Sequence, residues 1–325
     1  MKRTTWLGSL LVTAALVAGC GSPGKPVDPA PVGSVERPMP AGAGLARDVE
    51  GNGTADRSCD PTASLAPDPS IPPGSTMDEI RDRGYLVVGV DQNTFPFGFR
   101  NPTTGQLEGF DIDIAREITR SIFGNPDAVQ FRAISSAQRI GVLGGDPEYK
   151  GEQVDIVVRT FSITCDRLED INFSTVYYVA GQRVLVNENS SARGLGDLGG
   201  KRVCAADQST SLQNIARAEP RPVPVQVDDW SDCLVLLQQG QVDAVSTDDT
   251  ILAGMAQQDP TTKVVGERFT DELYGVGIPK DDEDMVRFVN AVLERVRAET
   301  WRDSYRRWGL QDWLGPAQPP APNYR

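Results

Sequence analysis

The sequence predicts an α/β protein of two lobes with a cleft between them, and three observations carry that reading. Short apolar runs alternate with amphipathic helical segments from residue 76 to residue 310, the pattern of a mostly parallel sheet with crossover helices. Two such sets follow one another, over 85–158 and 202–265. Extended segments at 176–186 and 268–278 flank the second set, so the chain crosses between the sets twice. Roughly 240 ordered residues suit two lobes of ordinary domain size.

The chain opens with Lys2 and Arg3, an uncharged run over 6–18, and then Val17-Ala18-Gly19-Cys20. These are the parts of a secretory signal, expected over residues 1–19, and the run is too short to span a bilayer. Residues 21–75 hold eleven prolines and eight glycines with hardly any apolar periodicity, a composition that cannot bury a core. The expectation for 20–75 is a tether with a root-mean-square reach of roughly 40 Å, by square-root scaling at about 5–6 Å per root residue. Only the neighbourhood of Cys59 has a reason to be ordered.

A short helix at 77–83 leads through Gly84 into a first strand, 85–90. After a turn at 101–105, Ile112, Ala115, Ile118, Thr119 and Ile122 share one face of a helix. A strand at 131–134, a helix at 136–143 and a strand at 154–158 complete the first set. The second set reads strand 202–206, helix 212–218, strand 223–227, helix 231–239, strand 242–246, helix 250–257 and strand 263–265. Helices at 282–299 and 300–308 close the body. The predicted organisation is therefore 76–180 plus 270–312 as one lobe, 181–269 as the other, and 313–325 as a disordered tail.

One stretch organises the rest. Ile156-Val157-Val158 reads as a buried strand, and Thr160, Ser162 and Thr164 follow at alternate positions. Thr164 before Cys165-Asp166-Arg167 has the form of a helix start, which puts Arg167 just past a strand's carboxyl end. In open α/β sheets ligands sit at that edge. A guanidinium with hydroxyls and free amides there suits a small carboxylate, each charge-assisted bond contributing about 1.5–3 kcal/mol.

Composition removes other chemistries. The formal charge is −13, and removing 1–19 takes away two basic and no acidic residues, giving −15; this argues against nucleic acid. Histidine is absent, which excludes Ser-His-Asp, Cys-His and His-ligated zinc sites. Gly194-Leu195-Gly196-Asp197-Leu198-Gly199 fits G-x-G-x-x-G but precedes a strand where a dinucleotide site would follow one, so it is read as a loop. No cofactor or metal is expected. Four cysteines besides Cys20 allow three pairings in an exported chain. Cys204 lies in a predicted strand and Cys233 in a later helix of the same set, so these two are paired, which leaves Cys59 with Cys165.

The order of motifs resembles the extracytoplasmic solute-binding proteins of ABC importers, in the cluster that binds polar amino acids. The residues that carry it are Val90-Asp91 before Phe95-Pro96-Phe97, Gly109-Phe110-Asp111, Val154-Asp155-Ile156-Val157, Ser162-Ile163-Thr164 with Arg167, Phe173-Ser174 before Tyr177-Tyr178, Asp197-Leu198-Gly199-Gly200-Lys201, Val242-Asp243-Ala244-Val245 with Asp248, and Tyr274-Gly275-Val276. The resemblance implies a two-lobed, periplasmic-binding-protein-like fold of type II, with two hinge strands and a ligand cleft between the lobes. Val17-Ala18-Gly19-Cys20 resembles a lipobox, implying a lipid on Cys20 that holds a monomer to the outer face of the cell membrane.

The same resemblance implies a ligand set. Arg167 takes the α-carboxylate with help at Thr160 and Ser162, Asp248 takes the α-ammonium, and Ser209 and Thr210 present amides at a helix start. Asp91, Thr94, Phe95 and Ser136 are expected around the side chain; Thr94 and Ser136 stand where glutamine-binding members place aromatic rings, and Phe95 is the substitute ring. Ser135-Ser136-Ala137-Gln138-Arg139-Ile140 resembles the glutamate/aspartate branch, with Arg139 on the distal carboxylate. The expected function is capture of glutamate or aspartate, with glutamine and asparagine as further candidates, for delivery to a membrane permease. The alternative is a sensor that reports occupancy to a membrane domain, and an enzyme on the same fold is disfavoured by the missing histidine.

Overall fold

The computed structural model describes residues 37–46, 49, 59–144 and 146–325. The expected signal segment 1–19 and Cys20 lie outside the described residues. Among the described residues, no helix is long and apolar enough to cross a membrane.

Among the described residues the two largest sheets form one in each predicted set, with three sheets of two or three strands beside them. The first has the order Val129–Ala133, Leu86–Val90, Ile156–Val157, Gly277–Ile278, Asn172–Phe173. Its first three strands are parallel, and Gly277–Ile278 enters antiparallel between two neighbours. Leu86, Val88 and Val90 are fully buried against the helices Phe110–Phe123 and Glu283–Glu299, and a second cluster around Val157, Phe161 and Phe173 covers the other face. Burial on both faces explains why these strands read as continuous apolar runs.

The second sheet has the order Gly44–Leu45, Val223–Val227, Arg202–Ala206, Ala244–Asp248, Gln182–Asn187, Thr262–Val265. Its centre is parallel, and Gln182–Asn187 runs antiparallel to both neighbours. Between the sheets, Tyr178–Ala180 and Glu272–Tyr274 pair antiparallel as the two crossings. They lie on an aromatic bed in which Tyr178 stacks on Tyr274 at 5.7 Å and on Trp301 at 6.1 Å.

Several local expectations are corrected. The helix expected at 136–143 is a run of turns ending in a four-residue helix, Gly141–Gly144. The chain ahead of Thr76 is not wholly free: Gly44–Leu45 pairs with the edge strand Val223–Val227, and Ala43, Ala46 and Val49 pack against the second core. Asn290 Nδ2 donates to Leu65 O at 2.7 Å and Asp68 N to Arg287 O at 3.0 Å, so this proline-rich stretch docks through its backbone without needing a periodic apolar face. The tail expected to be disordered at 313–325 is also placed, with Asn323–Tyr324 parallel to Ala63–Ser64 and Tyr305 Oη donating to Gly315 O. Both cysteine pairs form as read, Cys59–Cys165 and Cys204–Cys233.

Candidate functional site

The strand Ile156–Val157 ends at the cleft, and the chain then turns through a residue that is costly to hold. Thr160 has φ +37°, a region a β-branched residue seldom adopts. Asp111 Oδ2 accepts its amide N–H at 2.8 Å, and Tyr177 Oη steadies Asp111 from the other oxygen at 2.7 Å. Burial raises the Asp111 carboxyl to about 7, against the pull of both hydrogen bonds. Beyond Thr160, Phe161 O and Ile163 N bond to the crossing segment at Gly275 and Leu273. The strand end is thereby tied to the hinge.

Arg167 follows in the helix Cys165–Asp170, whose cap is Thr164: its hydroxyl accepts from Arg167 N at 3.3 Å. The guanidinium is turned back over its own strand end. Nη1 donates to Ser162 O at 2.6 Å and Nη2 to Gln208 O of the second lobe at 3.0 Å. Arg139 arrives from the other side, with Nε on Ser136 O at 2.9 Å, Nη1 on Thr160 O at 3.5 Å and Nη2 on the same Gln208 O at 3.4 Å. Phe161 lies beneath both, its ring centre 4.4 Å from the Arg139 guanidinium carbon and 4.9 Å from that of Arg167.

Neither arginine has a carboxylate within ion-pair distance among the described residues. Burial lowers Arg167 to about 10, with Glu272 and Asp248 pulling the other way. Arg139 is pushed well down, first by burial and then by Arg167 and Arg159. A guanidinium keeps its proton in a protein, so two cations held this way favour an anion between them.

Across the cleft, Asp248 ends the strand Ala244–Asp248 and precedes the helix Asp249–Gln258. It occupies the cap position, yet its carboxylate makes no capping bond. The next residue, Asp249, pairs with Arg268. Oδ2 of Asp248 accepts from Tyr274 Oη, and Oδ1 is buried without a hydrogen-bond partner. Burial, then the nearby Glu272 charge, raises the carboxyl well above the usual range. An ammonium would relieve both. Glu272 is a buried acid that sequence reasoning missed; it accepts from Thr210 Oγ1 at 2.8 Å and Thr270 Oγ1 at 3.0 Å.

The two guanidiniums, Phe161, Gln208 and Thr210 border a cavity of about 180 Å³, lined by Ser136, Ala137, Arg139, Ile140, Phe161, Thr164, Asp166, Arg167, Asp170, Gln208, Thr210 and Gln213. Drug-sized ligands occupy pockets of about 300–1,000 Å³, so this space suits a molecule of single amino-acid size. Of the expected residues, Ser136, Arg139, Arg167 and Thr210 reach the cavity, and Thr160 and Ser162 support it through their carbonyls. Ser209 caps the helix Thr210–Arg217, its hydroxyl accepting from Leu212 N at 3.1 Å.

Asp91, Thr94, Phe95 and Asp248 are not brought to the cavity lining; Asp248 is buried nearby, close enough for its charge to act on Arg139 and Arg167. Asp91 is occupied by Arg159 at 2.8 Å and by Thr94 Oγ1 at 2.8 Å. The Phe95 ring lies against Phe99 and Trp313, while its carbonyl abuts Gly254 so closely that an added Cβ would sit 1.8 Å from the oxygen. Phe161 and Arg159 were missed although they fall inside the organising stretch; an aromatic between alternate hydroxyls was the available signal. Among the described residues no group of three or more His, Cys, Asp or Glu could hold a metal.

The chain is similar to several known proteins. A glutamine-binding protein of an ABC transporter from Bacillus subtilis, GlnH, is 36% identical over 240 residues, 73% of this chain and 85% of that protein. The glutamate-binding protein GluB of Corynebacterium efficiens is 35% identical over 231 residues, 67% of this chain and 76% of its own length. Among solved structures, an ancestral arginine-binding protein bound to glutamine superposes with TM-score 0.64 at 32% identity, covering 72% of this chain and 99% of that one. The arginine-binding protein of T. maritima, as its P235GK mutant, gives 0.65 at 27% identity, covering 72% and 99%. The profile of one family matches residues 86–311, from the first strand of the first sheet into the last short helix. With its two sheets, two crossings and a charged cavity at the strand ends, the chain belongs to the bacterial extracellular solute-binding proteins, family 3.

Proposed function

We propose that the protein captures glutamate or aspartate outside the cytoplasm and delivers it to the membrane permease of an ABC importer, with glutamine and asparagine as weaker ligands. A lipid on Cys20 would keep it at the outer face of the membrane. The observation that carries the ligand class is the pair of buried guanidiniums, Arg139 and Arg167, over one ring and, among the described residues, without a carboxylate within ion-pair distance. Arg167 would meet the α-carboxylate, Asp248 Oδ1 the α-ammonium, and Arg139 the distal carboxylate. A neutral amide satisfies Arg139 less well than a carboxylate does.

Glutamine as the preferred ligand is the second reading. It is favoured by the names of the Bacillus relative and of the glutamine-bound ancestral structure. A thermal-shift screen of the twenty amino acids, followed by calorimetry, separates the two, because a ligand that binds only the folded state raises the midpoint by mass action. Larger shifts with glutamate and aspartate than with glutamine support the first reading. The reverse order supports the second, and no shift with any of the four excludes both.

A further inference from the structure

One buried ion pair has no part in the ligand pose above. Arg159 is 0% exposed and Asp91 2%, and the guanidinium Nη2 lies 2.8 Å from Oδ2. Its other nitrogens are also engaged, Nε with Ile134 O at 2.7 Å and Nη1 with Ser136 Oγ at 2.6 Å. Ser136 lines the cavity, so the pair stands one residue behind the cavity wall. Charges face it from several sides: Arg139 from the cavity, Asp111 from within the lobe and Asp229 from the second lobe.

A carboxylate at this depth requires a cation, because an isolated buried charge is expensive. Here the cation comes from the same lobe and is fixed by two hydrogen-bond acceptors besides the ion pair. Without it, Asp91 would hold a negative charge just behind the cavity, where an incoming ammonium or guanidinium could neutralise it. Building on the amino-acid site proposed above, we propose that Arg159 is a specificity-determining residue. Its guanidinium fills the carboxylate of Asp91 and so denies the cleft to amino acids with cationic side chains. The pair is neutral as a unit, which leaves Arg139 and Arg167 as the cations that line the cavity. Selection then works by prior occupancy of the acid as well as by attraction of the anion.

The test is calorimetry of glutamate, glutamine, arginine and lysine on the full chain, on Arg159→Met and on the double variant Asp91→Asn/Arg159→Met. The wild type is expected to bind glutamate and to ignore arginine and lysine. Arg159→Met is expected to gain at least about tenfold affinity for arginine or lysine, and the double variant to lose that gain. A folded Arg159→Met that still binds glutamate but gains no cationic ligand overturns the inference and leaves the proposed function standing. A gain that survives in the double variant also overturns it. Should Arg159→Met fail to fold, Asp91→Asn alone decides: it leaves the Arg159 charge uncancelled and is expected to raise the glutamate-to-glutamine affinity ratio at least about threefold. An unchanged ratio overturns the inference. A wild type that binds no amino acid overturns the proposed function, and this inference with it.

Discussion

The two walls of the cleft hold their charge in opposite ways. On the first lobe, Arg139 and Arg167 are side-chain cations pinned by the carbonyls of Ser136, Thr160 and Ser162 and backed by Phe161. On the second, the acceptors are a backbone carbonyl at Gln208 and a carboxylate, Asp248, with one oxygen unpaired. Gln208 itself sits at φ +54°, which helps aim that carbonyl at both guanidiniums. In the proposed pose a ligand carboxylate would compete with the Gln208 oxygen for the same donors, with the advantage that charge-assisted bonds are roughly twice as strong as neutral ones. The contrast is one of sign and of source: side-chain cations on the first wall, a backbone carbonyl and a buried carboxylate on the second.

The most damaging way to break this contrast is to remove its central cation. Arg167→Ala is expected to weaken binding of every amino-acid ligand by tenfold to about a hundredfold, since truncating a buried charge contact costs about 2 kcal/mol or more. Asp248→Ala is expected to cost at least about tenfold for the same reason. Calorimetric affinities that match the wild type would exclude the pose. Arg139→Ala sharpens the comparison: glutamate and aspartate should lose about tenfold relative to glutamine. Equal losses for all ligands would deny Arg139 a discriminating role.

A smaller effect tests the support beneath the first wall. The folded Asp111 carboxyl holds its proton up to about 7, against 3.8 for the ordinary group. Between those values the folded state binds the extra proton, so this contribution to stability is full at low pH and is lost as pH rises through about 7. Urea melts of the wild type and Asp111→Asn should therefore differ in their pH slope over that window, by at most about 4 kcal/mol in total. Parallel slopes would refute it. The smallest signal is a proton count. An ammonium beside Asp248 lowers its raised carboxyl pKa, so binding should release up to about one proton, and affinity should fall as pH drops. Calorimetry in buffers of different ionisation enthalpy reads this release, and Asp248→Asn should abolish it.

The element order was legible because both sheets are buried on two faces and their strands stand out as apolar runs. Arg167 was legible from Thr164 and the strand before it, and Arg139 from the motif around it. Other residues were hidden by tertiary choices that no local pattern records. Asp91, which Thr94 bonds, is taken by Arg159, and Phe95 turns to Trp313, a residue more than 200 positions away. Arg159 looked like one more polar residue after a strand, and Glu272 like one acid among many; only the fold buries them. The ordering of Gly44–Leu45 and Asn323–Tyr324 depends on distant backbone edges, which composition cannot reveal.

Those edges also decide where a pull on the N-terminal side would land. Leu45 is hydrogen-bonded into the outer strand of the second sheet opposite Val225, whereas Cys59, further along, is bonded covalently to Cys165 beside Arg167. Tension entering ahead of Gly44 meets a releasable link first and a permanent one second. Under load the two-residue edge strand peels from the second sheet, while the half that carries the arginines stays fastened to the incoming chain.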